Sequence, residues 1–233
     1  MKFITLVKHE LRQNLAISML VLLVVMLLGS LFFTSYEDTE RTRNRFWDSC
    51  RDYPGTVWWN GQNLDNMEAL YNPILCTVVL GAMFLAFVIV VKQFYLPTIQ
   101  RTWSFLLHRS VSKYTILTAK LLSSLILLIC SAGLGWTYFY FKGQSLIMPV
   151  PLHTFYIGIG AIGLAYLFYL ALSIVAISHY RWCGMRLLPL LVVGLIVVLN
   201  LRISYVIMAY SLLIGFFVLI IDLFVQFRLR EFK

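Results

Sequence analysis

Charge is scarce in this 233-residue chain: Asp, Glu, Lys and Arg make up 12% of it, about half of the ~25% carried by ordinary soluble domains. Together with 61% hydrophobic residues and a mean hydropathy of +0.83, that shortage excludes an ordinary water-soluble domain. Cysteine is sparse too. Cys76 and Cys130 fall inside apolar runs, Cys183 on the expected inner side and Cys50 alone on the outer side, so no intrachain disulfide framework can be built. Cys50 is either a free thiol or one half of an intermolecular bridge. The four histidines, His9, His108, His153 and His179, lie near membrane boundaries without forming an opposed pair within the spans, which leaves bis-histidine haem ligation poorly supported. No H-E-x-x-H or Ser-His constellation is present, nor any G-x-x-x-x-G-K-[ST] loop able to cradle a nucleotide phosphate. No catalytic, cofactor-binding or metal-binding residue is therefore expected in this chain.

What is present in quantity is the long uncharged run. Such runs occupy 15–35, 72–91, 121–141, 154–178, 187–201 and 203–221, and about 20 apolar residues cross the hydrocarbon as a helix. Extended to their flanks, they predict an all-α membrane protein with six spans at 15–35, 72–95, 114–141, 154–178, 187–201 and 203–224. The first run is too long for the apolar core of a signal sequence and lacks a small-x-small cleavage site, so it reads as a retained helix. The fifth run is short, and two arrangements suit it: a thin span, or one long helix with the sixth run broken by Asn200 and Arg202. Charge decides between them. With six spans and the N-terminus inside, the inner segments hold thirteen of the nineteen basic residues and net +10, while the outer ones net −1. That asymmetry fits the positive-inside rule, whereas fusing the last two runs would put the basic tail outside. The expected placement is a multi-pass protein of a cell membrane, of the bacterial inner-membrane kind, with both termini cytoplasmic. The last pair of helices then forms a tight hairpin.

Two polar segments flank the first span. On a helical wheel Phe3, Ile4, Leu6, Val7 and Leu11 share one arc of residues 1–14, and Lys2, Thr5, Lys8, His9, Arg12 and Gln13 the other, with Glu10 the exception. That pattern predicts an in-plane interfacial helix facing anionic headgroups, or more simply a topology anchor. The outer loop, 36–71, mixes acids and arginines with Tyr36, Trp47, Tyr53, Trp58, Trp59 and Tyr71, and Pro54-Gly55 and Asn60-Gly61 mark turns. It reads as a small cap of short elements, either anchored at the headgroups or serving as a lid or docking surface.

Residues 97–120, PTIQRTWSFLLHRSVSKYTILTAK, form a basic stretch between two apolar runs. Read as a helix, Ile99, Trp103, Leu106 and Leu107 make one stripe at i, i+4, i+7, i+8 spacing. Arg101, Ser104 and His108 face away, and Phe105 projects toward this polar side. An aromatic between an arginine and a histidine suits an anchor for a protein partner; with the wheel shifted by one residue, Phe105 packs on the bilayer instead.

The run RTWSFLLHRSVSKYTILTAKLL resembles the loop between the second and third helices of type-2 ABC exporter permeases. There, an apolar pair is followed by a Pro-Val-Ser-Arg stretch and a lysine opening the third helix. The matching residues are Trp103, Phe105, Leu106, Leu107, Arg109, Val111, Ser112, Lys113 and Lys120. Ser110 stands where the family often has proline and Gln100 where an acid is frequent, which loosens the inferred contact. The resemblance implies a cytoplasmic coupling helix between helices 2 and 3, with Arg101, Trp103, Phe105, His108 and Arg109 contacting a nucleotide-binding subunit. It further implies that ATP and Mg are bound by that ABC ATPase, and that a second permease subunit, the same chain or a similar one, pairs around a translocation path.

Gly158-Ile-Gly160-Ala-Ile-Gly163 spells G-x-G-x-x-G but sits in an uncharged run without βαβ context, so a dinucleotide site is not expected. Gly158, Gly160, Ala161 and Gly163 read instead as a face that lets another helix approach. Lys92, Lys120 and Asp222 lie near the inner ends of spans, where they position helix ends; a Lys120–Asp222 pair is the sharper alternative. Walls of Leu, Val, Ile, Phe and Tyr argue against a selective ion channel and suit a hydrophobic, amphiphilic or peptide cargo. The expected function is therefore the membrane-spanning subunit of an ATP-driven exporter, with the lipid bilayer and the ATPase as partners and no nucleic acid. The alternative is a non-transport sensor or assembly subunit that docks through its outer loop.

Overall fold

A computed structural model describes residues 2–50, 62–100, 112–144, 152–178, 183–200 and 205–229. Of these, all but Gln100, Ser112 and Ser178 are helical. The helices are α1 (Lys2–Cys50), α2 (Gln62–Val90) continuing through a π-helical turn (Val91–Tyr95) into α3 (Leu96–Ile99), α4 (Lys113–Leu128), joined by a second π turn (Ile129–Gly133) to α5 (Leu134–Gln144), then α6 (Leu152–Ile177), α7 (Cys183–Asn200) and α8 (Tyr205–Leu229). Five stretches are long and apolar enough to cross a membrane: Phe3–Thr34, Ile74–Ile99, Lys113–Gln144, Thr154–Ile177 and Ala209–Leu229. The chain is thus an all-helical, membrane-embedded protein. The apolar part of α7, Arg186–Val197, is shorter.

α1 packs on α2 and α4, α2 packs on α6, and α6 packs on α7 and α8. The most enclosed spans are α4–α5 and α6, whereas α1 and α8 lie outermost. Their free faces carry Leu20, Leu23, Leu27 and Leu31 on α1, and Leu213, Ile214, Phe217 and Ile221 on α8, all exposed, as lipid-facing side chains should be. The opposite face of α8 buries Leu219, Leu223 and Phe227, an i, i+4, i+8 stripe.

The expected separate in-plane helix at 1–14 is not what forms. α1 is a single helix of 49 residues, about 70 Å long at 1.5 Å per residue. The reason lies in its buried stripe: Val7, Asn14, Ser18, Val21, Val25 and Phe33 keep a helical period across residue 14, so the first turns already face the bundle. Residues 36–71, expected as a cap of short elements, are helical over 36–50 and 62–71. α1 runs on through Cys50 and α2 starts at Gln62. The sequence from 36 to 50 holds no proline or glycine and sets Glu37 four residues before Arg41, a spacing that favours helix. At the other end of the chain, α7 and α8 are distinct helices that pack against each other, which disposes of one long fused helix.

Candidate functional site

A buried polar junction ties four helical segments together near one end of the bundle. Glu10 of α1 accepts from Lys120 Nζ of α4 at 2.7 Å, with side-chain exposures of 13% and 7%. Its second carboxylate oxygen accepts from Gln93 Nε2 at 3.2 Å, and the same amide nitrogen lies 3.4 Å from Ser123 Oγ. Tyr169 of α6 donates its hydroxyl to Gln93 Oε1 at 2.9 Å. One turn away on α6, Tyr166 donates to the Leu121 carbonyl at 3.2 Å and stacks on Tyr169 with ring centroids 5.6 Å apart. Outside this core, Lys92 Nζ donates to the Gln13 carbonyl at 3.0 Å.

Local structure explains why these groups converge. Gln93 lies in the π turn, where both Gln93 and the adjacent Phe94 are buried; the wider turn carries an extra residue and re-aims side chains inward, a common use of π-bulges. Ser123 and Ser124 turn their hydroxyls back to the carbonyls of Lys120 and Leu121, which satisfies them within their own helix. A charge pair this enclosed repays its desolvation only with good geometry and further hydrogen bonds, and Gln93 supplies one. Asn14, one turn beyond Glu10, donates Nδ2 to the Glu10 carbonyl at 3.0 Å. Its Oδ1 is buried and meets no donor among the described residues.

At the other end of the bundle the contacts are close-packed and aromatic. A Cβ on Gly158 would fall inside the indole of Trp136, and one on Gly29 inside the ring of Phe139. Trp136 is fully buried and donates Nε1 to the Phe155 carbonyl at 3.2 Å. Gly81 faces Val25, whose Cγ2 would lie 2.6 Å from an added Cβ. Lys142 Nζ stands 4.2 Å from the centroid of Phe33.

Of the residues singled out in the sequence, Gly158, Gly160 and Ala161 are buried on α6, Gly158 against Trp136, while Gly163 stands near Leu212 of α8. Arg101, Trp103, Phe105, His108 and Arg109 lie outside the described residues. Their flanks are described, and both are attached to α1: Lys92 and Gln93 precede the segment, and Lys120 follows it. The suggested Lys120–Asp222 pair does not form. Lys120 is taken by Glu10, and Asp222 Oδ1 accepts from Gln226 Nε2, one turn along α8, at 3.3 Å. Glu10, Gln93 and Tyr169 were not anticipated as a group. The available signal was Glu10, the lone acid on the apolar arc of residues 1–14, set against Lys120 beside an uncharged run. Among the described residues no cluster of His, Cys, Asp and Glu is arranged to hold a metal ion. No protein-family model, curated protein or solved structure matches the chain.

Proposed function

We propose that this chain is the membrane-spanning subunit of an ATP-driven exporter of the type-2 ABC permease kind. A separate nucleotide-binding subunit would seat on residues 97–113 through Arg101, Trp103, Phe105, His108 and Arg109, and a second permease subunit would complete the path. The observation that carries this reading is the attachment of that segment's two flanks. The helix leading into it reaches α1 through Lys92 and Gln93, and the helix leaving it through Lys120. A push on the segment is thereby passed to the first span as well as to the second and third. Further support comes from the sequence pattern of Trp103, Phe105, Leu106, Leu107, Arg109, Lys113 and Lys120, and from the charge asymmetry that sets this segment with both termini on the cytoplasmic side. In this arrangement α7 is the fifth span, paired with the sixth, α8, in a short hairpin. ATP and Mg stay on the partner, and the apolar walls suit a hydrophobic, amphiphilic or peptide cargo.

The test is co-purification with a Walker-motif ATPase encoded beside this chain. A stable complex is expected whose ATPase is lost on Phe105→Ala combined with Trp103→Ala or Arg109→Ala, while the variant keeps its thermal stability in detergent. A folded chain that never retains the ATPase, or one that hydrolyses ATP unaided, overturns the reading. Surface labelling that placed a cysteine at 233 outside the cell would overturn the topology beneath it.

A further inference from the structure

We propose that Glu10 is a latch, whose ion pair with Lys120 holds residues 2–14 in line with the first span and whose loss frees them to lie on the headgroups. This inference stands apart from the permease reading. Residues 2–14 satisfy two environments at once. Toward the bundle they present Val7, partly buried Leu11 and the Glu10 carboxylate. Toward the outside they present Ile4, 73% exposed, with Lys8, His9 and Arg12. An exposed isoleucine beside two cations is poorly served by water and well served by an anionic lipid surface, where the apolar side chain enters the boundary and the cations meet phosphates.

The docked state carries its own penalties. Two charges are desolvated, and Asn14 Oδ1, at the junction of arm and span, meets no donor among the described residues. Bending there would expose that oxygen to donors. Against these stands the Glu10 junction: Lys120 at 2.7 Å from α4 and Gln93 at 3.2 Å from the π turn, itself held by Tyr169 of α6. The Lys92 bond to the Gln13 carbonyl adds a third attachment of the arm, but from an exposed lysine, where solvent competes. The buried pair is therefore the contact whose removal tips the balance.

Distances between spin labels at Ile4→Cys and Tyr114→Cys test this in nanodiscs containing anionic lipid, in a background with Cys50, Cys76, Cys130 and Cys183 replaced by alanine. Both labelled positions are exposed. The unaltered latch should give one narrow distance. E10Q, which keeps the side-chain shape, should add a second population at headgroup depth, raised at least about 10-fold given what breaking a buried pair costs. Lys120→Met should do the same, and the E10K/K120E exchange should restore the single distance. A control pair at Tyr114→Cys and Leu213→Cys should be unmoved in all of them, which separates release of the arm from loss of the fold. Wild-type distances in both E10Q and Lys120→Met, with the control pair intact, would sink the latch.

Discussion

Two of the helices that meet at Glu10, α1 and α6, are joined near Trp136 by α5, the continuation of α4, and the two junctions are held by different physics. At the Glu10 end, α1, α2, α4 and α6 share an ion pair, a glutamine bridge and two tyrosine hydroxyls. At the Trp136 end, the same bundle is closed by rings seated on glycines: Trp136 over Gly158 and Phe139 over Gly29. In lipid there is no hydrophobic drive to press helices together, so close packing and interhelical hydrogen bonds must do it. The chain uses each at a different end. The teaching is that the polar end can be switched, since charge and hydrogen bonding respond to a partner or to neutralisation, whereas the ring-on-glycine end responds only to being pulled apart.

Lys120→Met should break this contrast most severely. It breaks the buried Glu10–Lys120 pair, a loss of up to about 3–5 kcal/mol, visible as a drop in unfolding midpoint in detergent. Installing Glu10→Lys together with Lys120→Glu should recover most of it; failure to recover would mean that shape, not charge, governs the junction. Next in size is Gly158→Ala. The new methyl group meets the Trp136 ring, and overpacking of a tight interior costs about 1–3 kcal/mol. Trp136→Leu added to Gly158→Ala should relieve part of that loss, a coupling of about 0.5 kcal/mol or more between touching residues. Additive effects of the two changes in a double-mutant cycle would deny the contact.

The two ends differed just as much in how far the sequence disclosed them. Apolar runs coincide with the five long apolar helices among the described residues, because roughly 20 residues without charge leave a helix few alternatives in lipid. The small residues around Gly158 were read as a face for another helix, and at Gly158 what sits there is the Trp136 ring. What escaped was pairing. Lys120 stood out as a charge among apolar neighbours, but its partner lies 110 positions away, and nothing local distinguishes Glu10 from Asp222 as that partner. Gln93 was hidden for another reason: a π turn shifts which residues face inward, and wheel arguments assume a uniform period. The break expected after residue 14 failed for the converse reason. A polar arc suggested a headgroup surface, yet the opposite arc kept its period from Val7 to Val25 and held the helix straight into the bundle.

The smallest effect is also the most discriminating. Tyr169→Phe removes the hydroxyl that donates to Gln93 Oε1 and changes little else, because the ring still stacks on Tyr166. If the junction is a charge pair with helpers, the loss should be near the ~0.6 kcal/mol average for hydrogen bonds between membrane helices, since the unfolded chain in lipid finds other partners. If it is one cooperative network, the loss approaches that of Lys120→Met, because Gln93 would turn and release Glu10 along with Tyr169. Unfolding midpoints of Tyr169→Phe, Lys120→Met and the double variant decide between these. A small single effect that adds to the other keeps the distinction between a switchable ion pair and its supports. A large effect that vanishes in the Lys120→Met background makes Tyr169, on α6, as much a part of the latch as Glu10 itself.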